Sequence, residues 1–148
     1  MIPYPSNTLA DLAMRVARDI APTTNNPFSQ ADSALVAGLL LSMAQDYERS
    51  IYNPMTDIDE IKQLCKDILE AQSTAQHHFP GVSQCEAFLD RVPSSLRLAD
   101  VIELHASALQ LLEDIHIWAE QHDPALNRSV WQLLRRHSER NKFDVPGP

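Results

Sequence analysis

The sequence predicts an all-α protein, an antiparallel helical bundle of five main helices and one short one. Three observations carry this. Apolar residues recur at steps of three and four through every long segment, the period of a helix with one buried face. Glycine is scarce, three in 148 residues, so few positions can supply the positive φ of tight β-hairpins. The ten prolines fall between or just inside the periodic runs, where a missing N–H breaks no helix.

The first run is Thr8 to Ile20, with Leu9, Leu12, Ala13, Val16, Ala17 and Ile20 on one stripe and Pro22 as its stop. Residues 21–28 form a loop of turn-forming residues. Ser29 and Asp32 have capping-box spacing for a second helix that runs to Tyr52, where Asn53-Pro54 ends it. Between Ala31 and Tyr52 the apolar arc is unusually wide. Leu35, Leu39, Met43, Val36, Tyr47, Leu40, Ile51, Ala44, Ala37 and Leu41 fill roughly 240° of the projection, against about 100° for an ordinary surface helix. Such a helix is expected to be covered on at least two sides. Its remaining edge carries Ala34, Gly38 and Ser42, small residues four apart that permit close helix approach.

Thr56 is the expected cap of the third helix, with Asp57, Asp59 and Glu60 in its first turn, where the helix dipole favours negative charge. Its stripe is Ile58, Ile61, Leu64, Cys65, Ile68 and Leu69, fading through Gln72–His78 to Pro80-Gly81. Ser83 and Glu86 form a capping box for a short helix anchored by Phe88, Leu89 and Val92. The fourth long helix spans Ser95 to His122 with two seams. One is Val101, Leu104, Ala108, Leu111, Ile115 and Trp118; the other runs through Leu98, Ile102, His105, Leu109, Leu112, His116 and Ala119. Two seams side by side suit a helix central in a bundle. Asp123-Pro124 caps the last helix, whose Leu126, Val130, Leu133, Leu134 and His137 face inward to about Asn141. The length fits one domain, residues 1–148, with 1–6 and 142–148 as frayed tails and the second and fourth long helices as its core.

Charge is uneven. Residues 1–127 hold 7 Lys/Arg and 18 Asp/Glu, a net of −11, and residues 128–148 hold 5 and 2, a net of +3. The acidic body argues against a general nucleic-acid binder. The basic cluster of Arg128, Arg135, Arg136, Arg140 and Lys142 reads first as a solvated or salt-bridged face. Cys65 and Cys85 lack metal-binding spacing and read as two buried free thiols. The longest apolar run, Ala34–Leu41, is far short of the roughly 20 residues a bilayer requires, and no signal-type segment opens the chain. A cytoplasmic protein is the expectation.

Chemistry is sparse. Glu113 and His116 form a Glu-x-x-His pair on one helix face, the element used by di-iron bundles, but a di-iron centre needs two such pairs and there is one. A single divalent metal completed by another helix is the remaining form; otherwise no cofactor is expected. His105 sits centrally on an apolar face and needs a hydrogen-bond partner, in the core, at an interface or on a ligand. His77-His78 is a loop pair of the kind common by chance. The Asp-x-x-Glu pairs Asp57/Glu60, Asp67/Glu70 and Asp100/Glu103 read as solvated faces. Tyr47 carries the one reactive hydroxyl on the wide apolar arc. No phosphate-binding glycine loop, nucleophile elbow or zinc signature is present. The leading expectation is a non-enzymatic interaction or structural module that forms a homodimer through the second helix, with Ala34, Gly38 and Ser42 at the contact. The alternatives are a metal- or small-molecule-binding bundle, even an enzyme, centred on the fourth long helix, and a regulator touching nucleic acid through the basic last helix.

Overall fold

The computed structural model describes residues 4–71 and 78–144. Six α-helices and no strand are found among them: α1 Pro5–Arg15, α2 Pro27–Arg49, α3 Tyr52–Ala71, α4 Val82–Leu89, α5 Leu98–His122 and α6 Pro124–Arg140. The all-α class is as the periodicity requires. The chain divides into two compact units, residues 1–50 with 143–148, and residues 51–142.

The first unit is a hairpin of α1 and α2. Pro5 opens α1 three residues before the expected Thr8, since a first-turn proline has no N–H to leave unpaired. At its far end α1 widens into a π-turn, Val16–Ile20, followed by a 3₁₀ turn at Ala21–Thr23 that contains Pro22. The cap of α2 is Asn26, whose side-chain oxygen accepts from the Phe28 N–H at 3.0 Å, and Pro27 takes the first helical position. Ser29 is therefore inside the helix rather than its cap. The hairpin packs through small side chains: Ser6 and Ala13 on α1, Ala37 and Ala44 on α2 are its buried residues. Ser6 also donates to Glu48. Asp144 returns to α2, its N–H donating to Gln45 Oε1 at 2.9 Å while its carboxylate pairs with Arg49.

Two expectations for α2 fail here. It does not run to Tyr52, because Asn53 and Pro54 sit in the first turn of α3, where proline is tolerated. Nor is its apolar arc covered on two sides. Leu35 is 63% exposed, Leu39 56%, Met43 57% and Tyr47 53%. The wide arc arose because the alanines that do pack and the large residues that do not lie on opposite sides of one helix.

The second unit holds the hydrophobic core. Its centre is α5, as the double seam implies, but the helix that shares the centre is α3 rather than α2. Ile58, Ile61, Leu64 and Ile68 of α3 meet Leu104, Ala108, Leu111 and Ile115 of α5, and Val130 and Leu133 of α6 close the cluster. Each leucine, isoleucine or valine among them contributes about 1.5–3 kcal/mol on burial. Cys65 and Cys85 lie in the same cluster as free, fully buried thiols. Thr56 is not a cap; its hydroxyl donates to the Tyr52 carbonyl one turn back. Ser83 makes no cap bond either, and Gly81 holds the N-cap position of α4. Asp123 caps α6 as expected, accepting from the Ala125 and Leu126 N–H groups at 2.9 and 3.0 Å.

Candidate functional site

Among the described residues, a convergence of polar side chains in the core is built from three helices. Asp57 projects from the second turn of α3, one turn before Ile61 and on the same face. It is 1% exposed. His105 reaches it from the N-terminal half of α5, with Nε2 2.9 Å from Asp57 Oδ2. His137, near the end of α6, places Nδ1 2.6 Å from the same oxygen. The other carboxylate oxygen, Oδ1, is bonded by Arg140 Nη2. An ionised carboxylate only accepts, so both histidine nitrogens donate: His105 carries its proton on Nε2 and His137 on Nδ1. The two rings stand 6.2 Å apart, nearly parallel.

Arg140 is shared. Its Nη1 and Nη2 each reach Glu60 at 3.0 Å, a fork that matches a carboxylate, while Nη2 also serves Asp57. Arg136 Nε adds a 3.0 Å bond to Glu60 Oε1. Helix α6 is anchored at its end by Asn53, whose Nδ2 donates to the Arg140 carbonyl at 3.1 Å and to Asn141 Oδ1 at 3.0 Å. One turn of α3 thus fixes both the last carbonyls and the last side chains of α6.

The electrostatics follow from these contacts. Burial pushes the Asp57 carboxyl up, but the bonds from His105, Arg140 and His137 outweigh it and hold it at about 2, below its ordinary 3.8. Glu60 is raised by burial and lowered further by Arg140 and Arg136, so it too ends below its usual range. The Glu60 and Asp57 carboxylates raise the Arg140 guanidinium against the opposing effect of burial.

The residues singled out in sequence separate. His105 has the partner its position demanded. Glu113 and His116 do not converge: Glu113 is exposed and accepts from Gln110 at 3.3 Å. His116 lies edge-on to Trp131, ring centres 5.3 Å apart. Its Nε2 is 3.4 Å from Glu120 Oε1 and makes no hydrogen bond among the described residues. Tyr47 is exposed on α2, as are Ala34 and Gly38, with Ser42 partly covered. A Cβ added at Gly38 would meet nothing within 4 Å, so the small edge is not used against α1. His77 lies outside the described residues, and His78 is exposed. Asp67, Glu70 and Glu103 are exposed as expected, whereas the reading of Asp57 as a solvated first-turn acid is overturned by its burial. Of the basic cluster, Arg136 and Arg140 are engaged by Glu60 and Asp57, and Lys142 by Glu139 at 2.7 Å. Three of the five basic residues at this end of the chain are therefore held in salt bridges.

A separate groove of about 210 Å³ is lined by Leu64, Ile68, Phe79, Trp118 and Leu126, with Asp67 and Asp123 among its polar residues. That volume is below the roughly 300 Å³ at which ligand pockets begin. Compared with known protein families, curated proteins and solved structures, the chain matches none. No helix among the described residues is long and apolar enough to cross a membrane.

Proposed function

We propose that this chain is a non-enzymatic helical module that works as a homodimer, joined through the exposed face of α2. The observation that carries this is the inverted packing of the α1–α2 hairpin. Its buried residues are Ser6, Ala13, Ala37 and Ala44, while Leu35, Val36, Leu39, Met43 and Tyr47 face outward, about half exposed or more. A helix pair normally turns its large apolar residues toward a core. Together these five expose on the order of 500 Å² of apolar side chain, near the top of what a monomer leaves uncovered.

A second copy is the occupant whose shape the patch suits. Two such faces bury on the order of 1,000 Å² of apolar surface between them, and with a polar rim they reach the size of a stable interface. Gly38 lies at the midpoint of α2, beside the Leu35–Leu39–Met43 stripe, with open space over its Cα. A two-fold contact places one surface against itself, so a small residue at the edge of the stripe, halfway along the helix, lets the two helices approach closely. Pairing two hairpins gives a four-helix arrangement, the common way such faces are covered.

The test is sedimentation equilibrium of the full chain at micromolar concentrations. The expected mass is twice 16.6 kDa, and Leu35→Glu/Leu39→Glu should give a folded monomer with unchanged helical circular dichroism. A monomeric wild type at high micromolar concentration overturns the proposal, as does a double variant that still dimerises.

A further inference from the structure

We propose that Asp57, His105 and His137 form a binding site for one divalent first-row transition-metal ion of the zinc type. This stands on the second unit alone and does not depend on self-association. The three residues come from α3, α5 and α6, and their ligand atoms all lie within 4.8 Å of one another. Two imidazole nitrogens and one carboxylate oxygen are the donor set that ions of borderline softness prefer, and three protein ligands leave a position for water.

The geometry is close to what an ion requires. Asp57 Oδ2 is 2.9 Å from His105 Nε2 and 2.6 Å from His137 Nδ1. A tetrahedral ion with bonds of about 2.0–2.2 Å holds its ligand atoms about 3.3 Å apart. The two contacts to Asp57 need to spread by well under an ångström, while the histidine nitrogens, within 4.8 Å of each other, draw together, a movement for which half-buried His137 has room. Arg140 holds only Oδ1, so Oδ2 keeps its aim at the histidines. That is the part an outer partner plays for a ligating carboxylate. Glu60 accepts from Arg140 Nη1 and from the same Nη2 that serves Asp57, and so offsets the positive charge nearest the site. The site is shielded on the Asp57 side and open on the other: His137 has 34% of its side chain exposed, against 1% for Asp57. An ion can enter past His137 and retain a water there.

The proton balance is simple. Each ring now donates to Asp57 from the nitrogen that would bind. On binding, that nitrogen presents its lone pair and the ring's proton moves to its other nitrogen; a ring that is doubly protonated releases one proton to solvent. Protons and the ion compete for the same lone pairs, so affinity must fall on acidification.

The experiment is titration of the untagged full chain with zinc chloride by calorimetry, paired with the visible spectrum of the cobalt(II) form. The expected result is one equivalent bound, a rise in melting temperature, weaker binding on acidification, and cobalt bands without sulfur charge transfer. His137→Ala, at the exposed edge, should fold and lose at least about tenfold in affinity; Asp57→Asn, which keeps the shape, should do the same. His116→Ala should bind as wild type. Less than a tenth of an equivalent bound with no thermal shift overturns the proposal. So does full affinity in both His137→Ala and Asp57→Asn, or a cobalt–thiolate band, which would place the ion at Cys65 and Cys85.

Discussion

His137 Nδ1 and Asp57 Oδ2, eighty residues apart in sequence, lie 2.6 Å apart where α6 crosses α3. This contact, with those of His105 and Arg140 to the same carboxylate, concentrates a polar network inside an otherwise apolar unit. A buried carboxylate is costly unless its oxygens are satisfied, and here both are. The network therefore specifies which turns of α3, α5 and α6 face each other, as a purely aliphatic contact would not.

Acid sensitivity follows directly. Asp57 titrates at about 2 when folded and near its ordinary 3.8 when unfolded. A depressed folded value means that the stabilisation is complete above the unfolded value and is lost as pH falls through the folded one. The window is thus about pH 4 down to pH 2, and the loss about 2 kcal/mol. Glu60, shifted the same way, adds to it. Urea denaturation at a series of pH values should show the midpoint falling across that window. Asp57→Asn should be less stable at pH 7 yet show a flatter acid limb.

The two cysteines should be inert in the native state. Both are 0% exposed. The hydrogen bond between the thiols raises Cys65, and burial raises it further. Thiolate is the reactive form, so Cys65 has neither access nor nucleophilicity, while Cys85, which the same hydrogen bond lowers, is protected by its burial. A chromogenic disulfide reagent should titrate almost no thiol in buffer and two in denaturant. Fast native labelling of either cysteine would contradict the packing described for α3 and α4.

The helices were legible because each is long, periodic and bounded by proline or a capping residue. The Asp123-Pro124 start of α6 was read without error because its cap is local chemistry. Other starts misled for the same reason: Ser29 and Thr56 look like caps, but Asn26-Pro27 and the Tyr52–Pro54 turn lie just ahead of them. That second misplacement concealed the candidate site. Once α3 begins at Tyr52, Asp57 shares the face of Ile61, Leu64 and Ile68, a spacing that already marks it as buried. His105 and His137 were read as inward, but pairing them across helices needs tertiary contacts that one sequence does not supply. The outward arc of α2 was unreadable for a different reason, since periodicity reports how much of a helix is apolar and not which part finds a partner.

Gly81 shows how tightly the second unit is filled. Its φ is an ordinary −88°, so backbone strain does not require glycine there. The neighbouring ring does: a Cβ would sit 2.5 Å from Cε1 and Cζ of Phe79, a residue 5% exposed. Phe79 in turn meets Trp118 edge to face, ring centres 5.6 Å apart, which limits its retreat. Gly81→Ala should therefore destabilise by about 1–3 kcal/mol, the usual cost of overpacking, and alanine is also a poorer N-cap residue than glycine. Chemical denaturation measures this, and Phe79→Leu/Gly81→Ala should recover part of the loss.

Gly38 makes the opposite case and separates the hairpin from the dimer. Within one chain nothing lies within 4 Å of the position a Cβ would take. Glycine in the interior of α2 costs about 1 kcal/mol of helix stability relative to alanine. Gly38→Ala should therefore stabilise the isolated chain by about that amount. At a two-fold contact the same methyl group stands between two helices and pushes them apart, so self-association should weaken. The two effects have opposite signs and different concentration dependence. Thermal melts at low nanomolar concentration should shift upward in Gly38→Ala, while sedimentation velocity at micromolar concentration should show more monomer than wild type. A stabilised variant whose association is unchanged would place the dimer contact away from the middle of α2. A destabilised monomer would mean that the face over Gly38 is already filled within the chain.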